Sequence, residues 1–186
     1  MLNFIPFVTF VVVFAATIAR GLVLRRRTGD NVWAFAGASG LQRATSVVFA
    51  LSIGLLALTS VRTTGRLASV FTAVAALVAT GGGIIIVIAQ HQMGRAWRIG
   101  IRSGDAPLFV NNGLFRFSRN PVFFGMILLG LGMAIAASDW WSWLAWLVFI
   151  AACAIQVRLE EQHLARMFGQ SYQDYQAQVP RWIGVR

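Results

Sequence analysis

The chain has no lysine, six acidic residues among 186, and only 12% charged residues in all. Soluble domains carry about twice that share of charge, so the composition argues against a soluble globular enzyme. Its single cysteine, Cys153, excludes an internal disulfide. The two histidines, His91 and His163, are too few and too widely separated for a His/Cys metal site, so no metal centre is expected. What remains is apolar: 58% of the residues are hydrophobic and the mean hydropathy is +0.69. All sixteen basic residues are arginine, giving a net charge of +10. Such a balance suits either nucleic acid or an anionic membrane surface. The hydropathy selects the membrane, and no nucleic-acid partner is expected.

A helix needs about 20 apolar residues to cross the hydrocarbon layer. Five stretches free of charged side chains reach that range, at 1–19, 44–61, 67–90, 120–138 and 140–157. The expected fold is therefore all-α, a single membrane domain over 1–186 with five transmembrane helices and short C-terminal helices outside the bilayer. The first stretch lacks a basic start and is followed by Arg20 and Arg25–Arg26–Arg27, so it reads as a retained helix rather than a cleaved signal. Segments 20–43, 91–119 and 158–186 hold fourteen arginines, against Arg62 and Arg66 on the other side. By the retention of basic residues in the cytosol, the N-terminus is expected outside and the C-terminus in the cytosol.

Spans four and five are separated by little more than Asp139, which implies a tight hairpin anchored at headgroup level by the first of Trp140, Trp141, Trp143 and Trp146. Gly81, Gly82 and Gly83 fall in the middle of span three, where close helix packing is the expectation.

Polar material is concentrated in 91–119 and 158–186, both on the expected cytosolic side. Asn120 and Pro121 suit the N-cap and first position of a helix, which would aim unpaired N–H groups at that face beside Arg119. Together these make an anion site. The alternative is that Arg119 extends to lipid phosphate. Glu160 and Glu161 follow span five. Glu161 stands three residues after Arg158, a helical ion-pair spacing, whereas Glu160 needs another partner, such as Arg119 or a cationic ligand. Leu164, Met167 and Phe168 form an apolar stripe that Gly169 can end. Ser171 is placed to cap a short helix bearing Tyr172 and Tyr175, stopped after Val179 by Pro180, and this segment reads as lying on the membrane or packing over the spans, with a lid as the alternative.

Taken in order, these residues resemble a known signature. Gly113-Leu114-Phe115, Arg119-Asn120-Pro121-Val122-Phe123-Phe124-Gly125, Gly130-Leu131-Gly132, Glu160-Glu161, Phe168-Gly169-Gln170-Ser171-Tyr172-Gln173-Asp174-Tyr175 and Val179-Pro180 follow the pattern of the isoprenylcysteine carboxyl methyltransferase and phospholipid N-methyltransferase group of membrane enzymes. The likeness runs from about Gln90 to Trp182. Asn120 stands where that group has His and Phe123 where it has Tyr; Asn keeps a hydrogen-bonding group but does not titrate near neutral pH.

The resemblance implies a methyltransferase that uses S-adenosylmethionine, releases S-adenosylhomocysteine, and takes a lipid-like carboxylate, amine or thiol acceptor from the bilayer, with no obligate protein partner. Such a transfer demands alignment and exclusion of water rather than a catalytic triad. The implied catalytic residues are Arg119 and Glu160. Implied cofactor contacts are Asn120, Pro121, Phe123, Phe124, Gly125, Gly130, Gly132, Glu160, Glu161 and Tyr172, with Trp182 a further ring. Arg95, Arg98 and Arg116 are left for an acidic group of the acceptor. An NADPH-dependent membrane reductase of the sterol-reductase type and a non-catalytic membrane binding or assembly protein are the alternatives.

Overall fold

The computed structural model describes residues 2–29, 40–62, 69–97 and 109–184. Among them all regular structure is helical: α1 (Ile5–Thr28), α2 (Leu41–Arg62), α3 (Ser69–Met93), α4 (Pro121–Ala137), α5 (Trp140–Phe168) and α6 (Gln170–Gln178), with single 3-10 turns at Leu2–Phe4, Gly94–Ala96 and Gly113–Arg116. α1, α2, α3 and α5 are long and apolar enough to cross a membrane, and α4 is a shorter apolar helix of 17 residues. At 1.5 Å per residue α4 is about 26 Å long, near the lower limit for a span. The protein is an all-helical integral membrane protein.

The packing treats the bilayer as solvent. On α2 the buried face carries Thr45, Ser52, Leu56 and Ser60, while Leu51, Leu55 and Leu58 face outward. A soluble helix would invert that arrangement. The hydroxyls satisfy themselves on their own helix, Ser52 donating to Val48 O at 2.8 Å and Ser60 to Ala57 O at 2.9 Å. Small polar residues inside and leucines outside are what helices need when lipid is as apolar as any side chain.

α4 sits at the centre of the bundle, packed on α3 along one side and on α5 and α2 along the other. Its contact with α3 is a backbone contact. A Cβ placed on Gly82 would lie 2.5 Å from Gly125 O, and one on Gly132 would lie 2.6 Å from Ala75 O, so no side chain fits between the two helices there. Leu129, Met133 and Ala134 then meet Leu56, Ala145, Phe149 and Cys153 on the opposite side. The α4–α5 connection is as tight as its sequence implies. Ser138 closes α4 in the left-handed region at φ 51, its N–H donating to Ala134 O, and Asp139 caps α5 by accepting from Ser142 N at 2.9 Å. Trp140 and Trp141 project outward, whereas Trp146 turns inward and donates to Ile127 O at 3.0 Å.

The expected spans and the observed helices share their middles but not all their ends. α5 does not stop at 157; it continues unbroken to Phe168. Its 29 residues make about 43 Å of helix against about 30 Å of hydrocarbon, so its last turns project beyond the apolar layer. The run Leu159-Glu160-Glu161-Gln162-His163-Leu164-Ala165-Arg166-Met167 ends the apolar stretch, yet it is rich in good helix formers. Gly169, at φ 54, ends the helix as expected. Ser171 does not cap α6, which begins one residue earlier, at Gln170.

Because α3 and α4 touch through backbone, Gly82→Leu is expected to force them apart and lower stability by at least about 1–3 kcal/mol. Gly81, with nothing within 4 Å of its Cβ position, is the internal control, and Gly81→Leu should stay within about 0.5 kcal/mol of the parent. Thermal unfolding of the two variants in the same detergent distinguishes them.

Candidate functional site

Arg119, Asn120 and Glu161, singled out in the sequence, meet at one end of the bundle, where α4 begins and α5 leaves the apolar layer. Pro121 opens α4 at a position that has no use for an N–H. Just before it, residues 118–120 lie beside residues 179–181 of the tail. Arg119 N donates to Pro180 O at 3.0 Å, and Ser118 Oγ donates to Arg181 O at 3.2 Å while accepting from Asn120 N at 3.1 Å.

Between these two strips of chain lies the Glu161 carboxylate, its side chain 5% exposed. Its Oε1 accepts from Arg119 Nε at 3.0 Å and from Asn120 Nδ2 at 3.1 Å; its Oε2 accepts from Arg181 Nε at 3.1 Å and Nη2 at 2.7 Å. Arg119 Nη1 continues to Gln176 O and Val179 O, both at 2.8 Å. A buried carboxylate is tolerable only when paired and fully hydrogen-bonded, and here four donors on three residues meet it. Those bonds also hold the tail down. Tyr175 adds a hydroxyl bond to Phe115 O at 2.7 Å, and Phe109 packs against Phe168, Tyr172 and Tyr175.

Several expectations are corrected by this geometry. Glu161 pairs with Arg119 and Arg181 and not with Arg158, which is exposed, because the tertiary partners reach its buried face. Arg119 is not an open anion site, since its Nε and Nη1 are directed to Glu161 and to tail carbonyls. Asn120 occupies the N-cap position without capping: its amide donates to Glu161 and to Arg181 O. The first-turn N–H groups of α4 are thus left without a side-chain cap.

The other anticipated residues are distributed as follows. Gly125, Gly130 and Gly132 face neighbouring helices: Gly125 and Gly132 abut α3, and Gly130 looks toward Trp146 and Leu56. Phe123 and Phe124 are half-buried in the first turns of α4, and Pro121 is buried. Tyr172 is buried in the aromatic cluster, and Trp182 is half-buried in the tail. Arg116 is exposed, while Arg98 and the side chain of Arg95 lie outside the described residues.

Three polar groups near the clamp are not consumed by it. Glu160 is half-buried and makes no hydrogen bond or ion pair with the described residues. Gln156, four residues earlier and therefore on the same helix face, buries its Oε1 with no partner among the described residues. Tyr172 carries a phenol held well above its ordinary pKa, first by burial and then by the Glu161 carboxylate, with Glu160 adding to the effect. Burial likewise pushes Tyr175 up to about 12. Both phenols therefore keep their protons at working pH and can act only as neutral donors or acceptors. Gln156 and Arg181 were not anticipated from sequence. The i, i+4 spacing to Glu160 is a signal for the first, whereas nothing local marks the second.

Comparison with known proteins adds two findings. A family model described as phospholipid methyltransferase matches residues 69–171. A protein-S-isoprenylcysteine O-methyltransferase of Dictyostelium discoideum is 27% identical over 86 residues, covering 44% of this chain and 34% of the relative, so the likeness spans about a third of that protein's length. No solved structure matches the chain.

Removing the carboxylate charge at the centre of the clamp strands two guanidiniums. Glu161→Gln is expected to destabilise the docked tail by about 3–5 kcal/mol. Arg181→Ala, whose side chain is 39% exposed, is expected to cost about 1 kcal/mol after solvent screening. Limited proteolysis within 170–184, followed by mass spectrometry, reads the difference, and equal protection of parent and Glu161→Gln would count against the clamp.

Proposed function

The chain belongs to the phospholipid methyltransferase family, and from that premise we propose that it is an S-adenosylmethionine-dependent methyltransferase. It acts at the cytosolic face of the membrane on a lipid-like acceptor. One observation carries the assignment of its site. Glu161 is neutralised inside the clamp, which leaves Glu160, next to it, as a half-buried carboxylate one turn beyond the Oε1 of Gln156, neither with a partner among the described residues.

That set of groups fits the cofactor. An amino group and ribose hydroxyls are donors, which suits two unpaired acceptors on one face of α5. A cofactor carboxylate suits the uncapped N–H groups that open α4. Phe123 and Phe124, half-buried beside them, offer the apolar surface an adenine needs. When bound, S-adenosylmethionine supplies a sulfonium methyl that a nucleophile takes by in-line displacement, the carbon–sulfur bond breaking as the new bond forms.

The protein's own contribution is alignment and exclusion of water. In this reading Glu160 holds the cofactor amine and Gln156 a hydroxyl. Glu161, Arg119, Asn120 and Arg181 act as positioning residues that fix α4, α5 and the tail around them. Tyr172 closes the space from the α6 side. Asn120, bonded through its Nδ2 to Glu161, takes no proton and serves the clamp. The excess of arginine on the side that carries this end of the bundle supports a cytosolic site.

Calorimetric titration of the purified protein in detergent is the direct test. S-adenosylhomocysteine is expected to bind and NADPH not to; a preference for NADPH would overturn the proposal. Glu160→Gln should weaken S-adenosylhomocysteine about tenfold, equivalent to roughly 1.4 kcal/mol, with little change in thermal stability. Labelled methyl transfer into extracted lipids, prenylated peptides and thiols then identifies the acceptor class.

A further inference from the structure

A second unpaired charge lies apart from the clamp, at the join of α1 and the end of α3. Thr17 and Gln90 meet there, Gln90 Nε2 donating to Thr17 Oγ1 at 3.0 Å, and Gln90 is only 4% exposed. One turn on, Arg20 leans away from solvent. Its Nη2 donates to Gly94 O at 3.1 Å, its Cζ lies 5.7 Å from the centre of the buried Trp97 ring, and its Nε is buried with no partner. No carboxylate among the described residues pairs with it.

This is not the behaviour of an arginine reaching for the membrane surface. Arg25, Arg26 and Arg27, the first of them about 8 Å further along the helix, are exposed and free to extend outward. Arg20 is instead held by a protein carbonyl and an aromatic face, with its base fixed by the Thr17–Gln90 pair. A guanidinium has five N–H donors in a planar fork. One donor group is engaged here and one face is covered, so the remaining fork suits a planar or tetrahedral oxyanion. Three residues on, and so on the same face of α1, Val23 is exposed apolar surface for an alkyl chain. The same end of α3 reaches the clamp, since Gln92 Oε1 accepts from Leu114 N at 2.8 Å in the turn that leads to Arg119.

We propose that Arg20, lying over the Trp97 ring, binds the anionic group, a phosphate or carboxylate, of a lipid-like molecule whose tail lies in the bilayer. Resting on the methyltransferase reading, that molecule is the acceptor, and Arg20 fixes its register against the cofactor.

The test uses the full chain in maltoside micelles, titrated with dodecyl phosphate, dodecanoate, dodecanol and inorganic phosphate. The two anionic amphiphiles should bind at least tenfold more tightly than dodecanol or inorganic phosphate. Arg20→Gln should weaken them tenfold or more, Arg20→Lys less, and Trp97→Leu about threefold, whereas Arg26→Gln should change nothing beyond twofold. Unchanged amphiphile binding in Arg20→Gln, or an equal loss in Arg26→Gln, overturns the site.

S-adenosylhomocysteine affinity should be the same in parent, Arg20→Gln and Arg20→Lys, which reports an intact fold. Its absence in the parent would defeat the methyltransferase reading while leaving the amphiphile titration to judge Arg20. In labelled transfer to total extracted lipid, Arg20→Gln should raise KM with kcat little altered, and dodecyl phosphate should compete. Binding without competition would mean that a bilayer lipid occupies the site, and would overturn its assignment to the acceptor.

Discussion

One carboxylate organises the polar end of this protein. Glu161 projects from α5 into a space with almost no water, and its charge is tolerable only because two guanidiniums and an amide converge on it. Those partners come from two separate stretches of chain, so satisfying one buried group on a third ties three elements together. Arg119 and Asn120 set where α4 begins, α5 supplies the carboxylate, and Arg181 draws the tail back across the end of the bundle. The pair of adjacent glutamates is thereby divided. One is neutralised in the frame, and its neighbour has no partner among the described residues.

Below that end, the bundle follows the logic of a lipid solvent. Association of helices gains little from burying leucine where lipid is equally apolar, so the tightest contact is made by the smallest residues. Gly82 against Gly125, and Gly132 against Ala75 and Ala79, let α3 and α4 meet backbone to backbone. This accounts for the Gly130-Leu131-Gly132 element as helix packing in the structure. α4 is also the helix whose first turn faces the clamp, and its depth and tilt are set one to three turns away, at Gly125 and Gly132.

Much of this was legible in the chain. Charge-free runs of 18 to 24 residues marked five apolar helices, since a continuous apolar segment of that length satisfies its own backbone in hydrocarbon as a helix. Asp139 marked the α4–α5 hairpin, and Gly169 and Pro180 marked the ends of α5 and α6. These are local matters, decided by a residue's own conformational limits. Less legible were the ends of α5, where a run of charges closes the apolar stretch without breaking the helix, and the start of α6, where Gly169 took the place expected of Ser171.

Partnership is what sequence spacing does not carry. Arg158 stands three residues from Glu161, yet Arg119 and Arg181, 42 and 20 residues away, hold it. An exposed helical pair gains a few tenths of a kcal/mol, whereas a buried carboxylate left unmatched loses far more, so burial overrules proximity. For the same reason Asn120 bonds across to Glu161 rather than back to its own helix, and Arg20 folds onto Trp97 rather than toward the surface. Composition and the length of each apolar run determined that this chain lives in a membrane as a bundle of helices. Which charges meet, and which find no partner among the described residues, was decided only by packing, because the desolvation that sets those choices does not exist until the helices close together.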